Sequence, residues 1–422
     1  MSERPSSSVG RMGLYLTARF AAATALTALR AALAWQVFEV SHSAFHLGLI
    51  GLVQFVPALG FSLVGGAVAD ARDRRRVIMT AELVSFVCAS ALGAAAVHGA
   101  TGLGLLYALA FVVSVAATFE NPAAAALLPS LVPREAFPRA VAAASTNRAL
   151  AFATGPALAG LVIGEAGVAA AYATAAALVA VSIAALSRLR GSSNELPHAG
   201  LDWQAIREGV SFVRHHPVVL GCMTLDMLAV IFGGASALLP IYATDILHVG
   251  ARGYGLLMSS LDIGAILCSL VLTLLPSIGR AGPALLASVA TYGLATIVFG
   301  LSRWFPLSVA AYVAVGIADQ VSVVLRSATI QLTTPDELRG RVSSVNLVFI
   351  GASNQLGAAE SGFVAALTSP TVSVVSGGVA SLLVVLGISL AFPELRRYRL
   401  GVRGVERVPP ERQSLASRAG RS

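Results

Sequence analysis

The sequence predicts an all-α protein that crosses a membrane about twelve times. Three observations predict it. Mean hydropathy is +0.79. Of the 422 residues, 56% are hydrophobic and 12% charged, about half the charged share of an ordinary soluble domain. The apolar residues also fall in runs of about 20, the length that carries a helix across the hydrocarbon core of a bilayer.

In chain order the expected spans are 14–38, 45–69, 77–97, 102–128, 139–164, 166–187, 217–243, 254–276, 282–301, 304–333, 341–367 and 371–392. The first is too long for a cleavable signal peptide, so it is expected to serve as the insertion signal. The longest polar connection is 188–216. Within it Trp203, Ile206, Val210 and Val213 recur at helical spacing, which predicts an amphipathic surface helix. The organisation expected is therefore a six-span half (1–187), a linker (188–216), a second six-span half (217–392) and a basic, disordered tail (393–422).

Charge sets the expected topology. The net charge is +8, which in a soluble chain would suggest a nucleic-acid partner. Here all 29 basic side chains are arginine, and most lie in short loops and in the tail. Arg72, Arg74, Arg75, Arg76, Arg134, Arg139, Arg188, Arg207, Arg214, Arg280, Arg339 and Arg341 fall on one side of the expected topology. The other side holds little beyond Arg252 and Arg303. The positive-inside rule then places both termini and the linker in the cytoplasm and excludes a nucleic-acid role. Cys88, Cys222 and Cys268 sit inside apolar runs without metal-ligand spacing, and the seven histidines show none either. Neither metal nor cofactor is expected.

The chain repeats at an offset of 202 residues. Gly48, Gly51, Pro133, Arg139, Gly155 and Gly160 recur as Gly250, Gly253, Pro335, Arg341, Gly357 and Gly362. Two parallel six-helix halves joined by a linker account for such a repeat.

Against this background several motifs carry a resemblance. Gly66-Ala67-Val68-Ala69-Asp70-Ala71-Arg72-Asp73-Arg74-Arg75-Arg76, after the second span, resembles motif A of the major facilitator superfamily. Gly155-Pro156-Ala157-Leu158-Ala159-Gly160, in the fifth span, resembles motif C of its antiporter branch. Trp35-Gln36-Val37-Phe38, Gln54-Phe55-Val56-Pro57, Ala237-Leu238-Leu239-Pro240, Thr334-Pro335-Asp336-Glu337-Leu338-Arg339-Gly340-Arg341 and Ser353-Asn354-Gln355-Leu356-Gly357 are similar to the bacterial enterobactin-exporter and drug-efflux subfamily. The sequence departs from motif A at Ala71, where a basic residue is usual, and at Asp73, where Gly is usual. The fourth span lacks the arginine of motif B.

The resemblance implies a major facilitator fold in the bacterial inner membrane, working as a monomer without a cofactor. It implies a gating role for motif A (Gly66, Asp70, Arg74, Arg75), with Asp70 docked across the halves near Arg339 and Arg341. The alternative is that these arginines only set topology. For motif C (Gly155, Pro156, Gly160) it implies a bend that seals one side of the pathway; plain close packing is the other reading.

Charges inside spans are the most informative residues, because each costs roughly 2.5–3.5 kcal/mol at mid-helix. They are Arg19, Arg30, Glu120, Arg148, Asp226, Asp262, Asp319, Arg326 and Glu360. Counting at 1.5 Å per residue puts Glu120, Arg148, Asp226 and Arg326 about 13 Å from the Arg-rich ends. Asp319 and Arg326, seven apart, share a helix face. Because the resemblance lines the cavity with the first, fourth, seventh and tenth spans, Glu120, Asp226, Asp319 and Arg326 are the expected proton-coupling or substrate residues. Structural ion pairing is the competing reading.

No enzyme constellation and no phosphate loop is present. The expected function is secondary active export of a small organic molecule, siderophore-like or an amphipathic drug, by proton antiport. Uptake or facilitated diffusion is one alternative. A receptor or scaffold that transports nothing is another.

Overall fold

A computed structural model describes residues 5–61, 65–66, 68, 71–189, 203–274 and 278–399. The main helices are α1 (Pro5–Ser41), α2 (Ala44–Gly60), α3 (Arg74–Val97), α4 (Leu103–Leu127), α5 (Phe137–Arg188), α6 (Trp203–His215), α7 (Pro217–Gly233), α8 (Gly250–Leu274), α9 (Ala281–Leu301), α10 (Phe305–Thr333), α11 (Arg339–Leu367) and α12 (Pro370–Ala391). No strand occurs among the described residues.

Local chemistry fixes several helix starts. Asp73 caps α3, accepting hydrogen bonds from the backbone N–H groups of Arg75 and Arg76 at 2.9 and 3.3 Å. This explains an Asp where motif A usually has Gly: the side chain satisfies two donors that a helix start leaves open. Asp73→Ala is expected to cost about 1 kcal/mol, read as a lower unfolding midpoint in detergent with transport little changed. Ser369 caps α12 in the same way through the Val372 N–H. Pro217, Pro306 and Pro370 sit in the first turns of α7, α10 and α12, where a missing N–H costs nothing.

Two details depart from the expected spans. The fifth and sixth spans form one helical stretch folded at Gly167, whose φ of 82° and ψ of 171° are non-helical; a side chain there would be strained. The seventh span does not run unbroken to 243. It stops at Gly233-Gly234 and continues as short segments from Ser236 to Ile246, the last a π-turn. At the end of α7 the Tyr292 hydroxyl satisfies the Gly233 carbonyl, and its ring occupies the space a side chain at 233 would need.

Among the described residues, nine helical stretches are long and apolar enough to span a bilayer, and one of these, of 55 residues, contains both limbs of α5. Counting that second limb, α2 and the more polar α11, the pattern is consistent with twelve spans.

Within the first half α5 packs on α1 and α3, and α4 on α3 and α2; within the second, α9 packs on α10 and α12, α8 on α10, and α7 on α11 and α12. The halves meet chiefly through two pairs, α2 with α11 and α5 with α8. Both contacts lie near the Arg-poor helix ends and use the repeated glycines. A Cβ on Gly48 would lie 3.0 Å from the Gly362 Cα, and one on Gly160 would lie 2.5 Å from the Gly255 Cα. Gly160 and Gly362 are repeat partners, so the same packing device serves each contact. Nearby, Phe45 stacks on Phe363 at 5.3 Å, Trp35 on Tyr254 at 5.4 Å, and Arg252 pairs with Glu165. Toward the Arg-rich ends, Gly60, Gly66, Gly340 and Gly351 have open space among the described residues where a Cβ would stand. The glycine-to-glycine contacts between the halves thus lie on the Arg-poor side.

Candidate functional site

Two buried ion pairs organise the interior, one in each half. In the second half Arg326 of α10 pairs with Asp226 of α7, with side chains 3% and 8% exposed. In the first half Arg19 of α1 pairs with Glu120 of α4 at 2.6 Å. Each pair ties the first span of its half to the fourth. The signs are reversed: the first span carries the cation in one half and the anion in the other. Burial forces the pairing, because an unpaired charge in a low-dielectric interior costs several kcal/mol.

Asp319 completes the second-half cluster. It lines one small cavity with Asp226, Ala229, Val230, Val289, Tyr292, Ala318 and Ser322, so the seven-residue spacing does bring it to the Asp226–Arg326 region. Asp319 is half-buried. The Arg326 Nε is buried without a partner among the described residues. The cluster therefore offers two carboxylates, one guanidinium and one spare donor. It can exchange a proton between the carboxylates or present its cation to an anion.

The sequence put Glu120, Asp226, Asp319 and Arg326 together on a cavity wall. Glu120, Asp226 and Arg326 are buried in the packing of their own halves and Asp319 is half-buried; of the four, Asp226 and Asp319 line a common cavity. The ion pairs are the reason: each charge faces its partner on the neighbouring helix. Arg30 is half-buried with its Nε unpartnered among the described residues. Arg148 is exposed on the Arg-rich half of α5. Asp262 and Glu360 are half-buried.

Sequence reasoning missed Glu82. It lies in α3, 1% exposed, with Arg19 3.6 Å from its carboxylate and Ser182 donating to the same oxygen at 2.8 Å. The signal was available, since Glu82 is the one acidic residue of the third span and meets the same test as the other intramembrane charges.

The motif A arginines bind helix ends within their own half. Arg74 donates to the Ala126 carbonyl at 3.0 Å, at the end of α4, and Arg75 to the Ser187 carbonyl at 2.7 Å, at the end of α5. Cations at helix C-termini satisfy orphan carbonyls and offset the macrodipole. Gly66 is half-buried, and Asp70 lies outside the described residues. Of its expected partners, Arg339 pairs with Asp336 at 2.6 Å and Arg341 with Glu208 of α6. Gly209 packs on Arg341, where a Cβ would lie 3.1 Å from its carbonyl carbon. The linker helix is thereby seated on the start of α11.

Motif C packs tightly on both sides. A Cβ on Gly155 would meet Thr24 and Ala28 of α1 at 2.7 and 3.0 Å, and Gly160 faces Gly255 of α8. The helix runs through Pro156 without a break.

Comparison with known proteins is consistent with this architecture. Residues 13–414 match the family described as transmembrane secretion effector, a branch of the major facilitator superfamily. Curated relatives include the enterobactin exporter EntS of Escherichia coli strains SMS-3-5 and SE11, each 27% identical over 383 residues, covering 90% of this chain and 92% of theirs. Among solved structures, a point mutant of the nucleoside transporter NupG superposes with a TM-score of 0.73 at 12% identity, covering 90% of this chain and 100% of that one. A bacterial homologue of the lysosomal transporter Spinster, inward-facing and unoccupied, gives 0.68 at 14%, covering 94% and 97%. Such low identities speak to the fold alone.

Proposed function

Because the chain belongs to the transmembrane secretion effector family of major facilitator transporters, we propose that it exports a small organic molecule from the bacterial cytoplasm by alternating access driven by inward proton movement. The observation that carries this reading is the Asp226–Arg326 pair with Asp319 on the same small cavity. A proton arriving from outside neutralises Asp226 or Asp319 and frees Arg326 from its partner. Release of the proton to the cytoplasm restores the pair. The two half-bundles rock relative to each other, keeping the glycine contacts at the Arg-poor ends in one state and breaking them in the other, so that the site is exposed on each side in turn.

By the arginine asymmetry we place the side away from the glycine contacts in the cytoplasm, together with both termini. Motif A and motif C are then the gates: Asp70 with the α11 start on the cytoplasmic side, Gly155-Pro156 and Gly160 on the outer side. The likeness to an enterobactin exporter favours a siderophore-like substrate, whose anionic groups suit the spare donor of Arg326; an amphipathic drug is the second class.

Cells lacking their own exporters, supplied with enterobactin or ethidium, test this. Expression of the chain is expected to lower retention of one probe several-fold, and Asp226→Asn to abolish the effect. Retention raised by expression would instead make the chain an uptake carrier.

A further inference from the structure

The first half contains a buried carboxylate that the export cycle above does not use. We propose that Glu82, together with Glu120 and Arg19, forms a second proton-binding site, confined to the first half and separate from the Asp226–Asp319–Arg326 cluster. The ligand is a proton held on the Glu82 Oε2 atom.

The geometry leaves this oxygen for a proton. Arg19 sits 2.6 Å from the Glu120 Oε1 and 3.6 Å from the Glu82 Oε1, so one guanidinium serves two carboxylates and favours Glu120. Ser182 of α5 donates to the Glu82 Oε1 at 2.8 Å. The Glu82 Oε2 is buried and has no partner among the described residues, although a bare carboxylate oxygen in such a place is costly. A proton on Oε2 removes the charge and leaves Oε1 to accept from Ser182.

The surrounding groups do not change this count. α1 contributes Arg19, Tyr15, whose hydroxyl donates to the Ala124 carbonyl of α4 at 3.1 Å, and, eleven residues and about 16 Å beyond Arg19, Arg30, which forms no ion pair with Glu82 among the described residues. α4 contributes Glu120. α5 contributes only the Ser182 hydroxyl. Glu82 lies about 12 Å from the start of α3, and its side chain is 2% exposed against 17% for Arg19 and 10% for Glu120. The better-exposed Arg19–Glu120 pair is therefore the side from which a proton reaches Glu82.

The test is infrared difference spectroscopy of the purified chain in lipid nanodiscs, without substrate. At neutral pH the wild type is expected to show a protonated carboxylic-acid band that Glu82→Gln lacks and that Asp226→Asn and Asp319→Asn retain. On titration from alkaline to neutral pH, Glu82→Gln is expected to take up about one proton fewer per chain. Loss of a carboxylate band in Glu82→Gln, with the acid region unchanged, would show Glu82 ionised and overturn the proposal. Should Glu82→Gln not fold, Ser182→Ala keeps the carboxyl and removes its donor. The acid band is then expected to shift, and an unmoved band overturns the proposal equally. No substrate enters either readout, so an error in the substrate class or in the second-half coupling leaves the result unaffected.

Discussion

Replacing Arg326 by methionine is expected to destabilise the chain by about 3–5 kcal/mol, because it strands the Asp226 charge in the interior. Asp226→Asn alone is expected to cost a similar amount by stranding Arg326. The double change should cost clearly less than either, since no charge is left behind and the neutral side chains still fill the space. A double-mutant cycle on unfolding midpoints in detergent reads this directly as a coupling energy. Additive single effects would mean that the two side chains do not sense each other. Transport gives the second reading: the double variant is expected to fold and insert yet lose proton-linked export, as nothing remains opposite the cation to titrate. A purely structural pair would leave the double variant nearly fully active.

Gly160→Ala is expected to reduce transport more than ten-fold, or more than about 1.4 kcal/mol in barrier terms. The added methyl meets the Gly255 Cα at 2.5 Å and the Ala251 carbonyl oxygen at 2.6 Å, where backbone has no room to yield. Closure of the Arg-poor side then fails while the individual half-bundles still fold. The conformational readout is a cysteine pair placed at Phe45 and Phe363, whose rings lie 5.3 Å apart across the halves. Cross-linking is expected to fall in Gly160→Ala. Full cross-linking with full transport would show that the contact has slack and takes no part in gating.

Much of the fold was legible because a bilayer permits few solutions. Runs of about 20 apolar residues located the helices, most of them to within a few residues, though the first begins nine residues before its expected span and the seventh stops ten residues short, and the 202-residue offset anticipated glycines that make equivalent contacts in the two halves. The break at Gly233-Gly234 was not foreseen, and the group that satisfies the Gly233 carbonyl there, the Tyr292 hydroxyl, is 59 residues away in sequence. At the site, periodicity placed Asp319 and Arg326 on one face. Equal depth from the Arg-rich ends put Asp226 level with Arg326, and the structure pairs them; that Arg19 joins Glu120 and Glu82 was not legible, since partners on different helices leave no spacing signal. Arg341 shows the same limit, with Glu208 of the linker helix as its described partner.

The central claim, proton-driven export, is tested most directly in proteoliposomes under an imposed pH gradient, with whichever of enterobactin or ethidium the cell assay shows to be exported. The probe is expected to accumulate in the acidic compartment against its own gradient. The pH gradient should collapse faster with probe than without, and the Asp226→Asn/Arg326→Met double variant should show neither effect. A probe that merely equilibrates between the compartments, at a rate and to an extent indifferent to the pH gradient, would contradict the account and make the chain a facilitated-diffusion carrier.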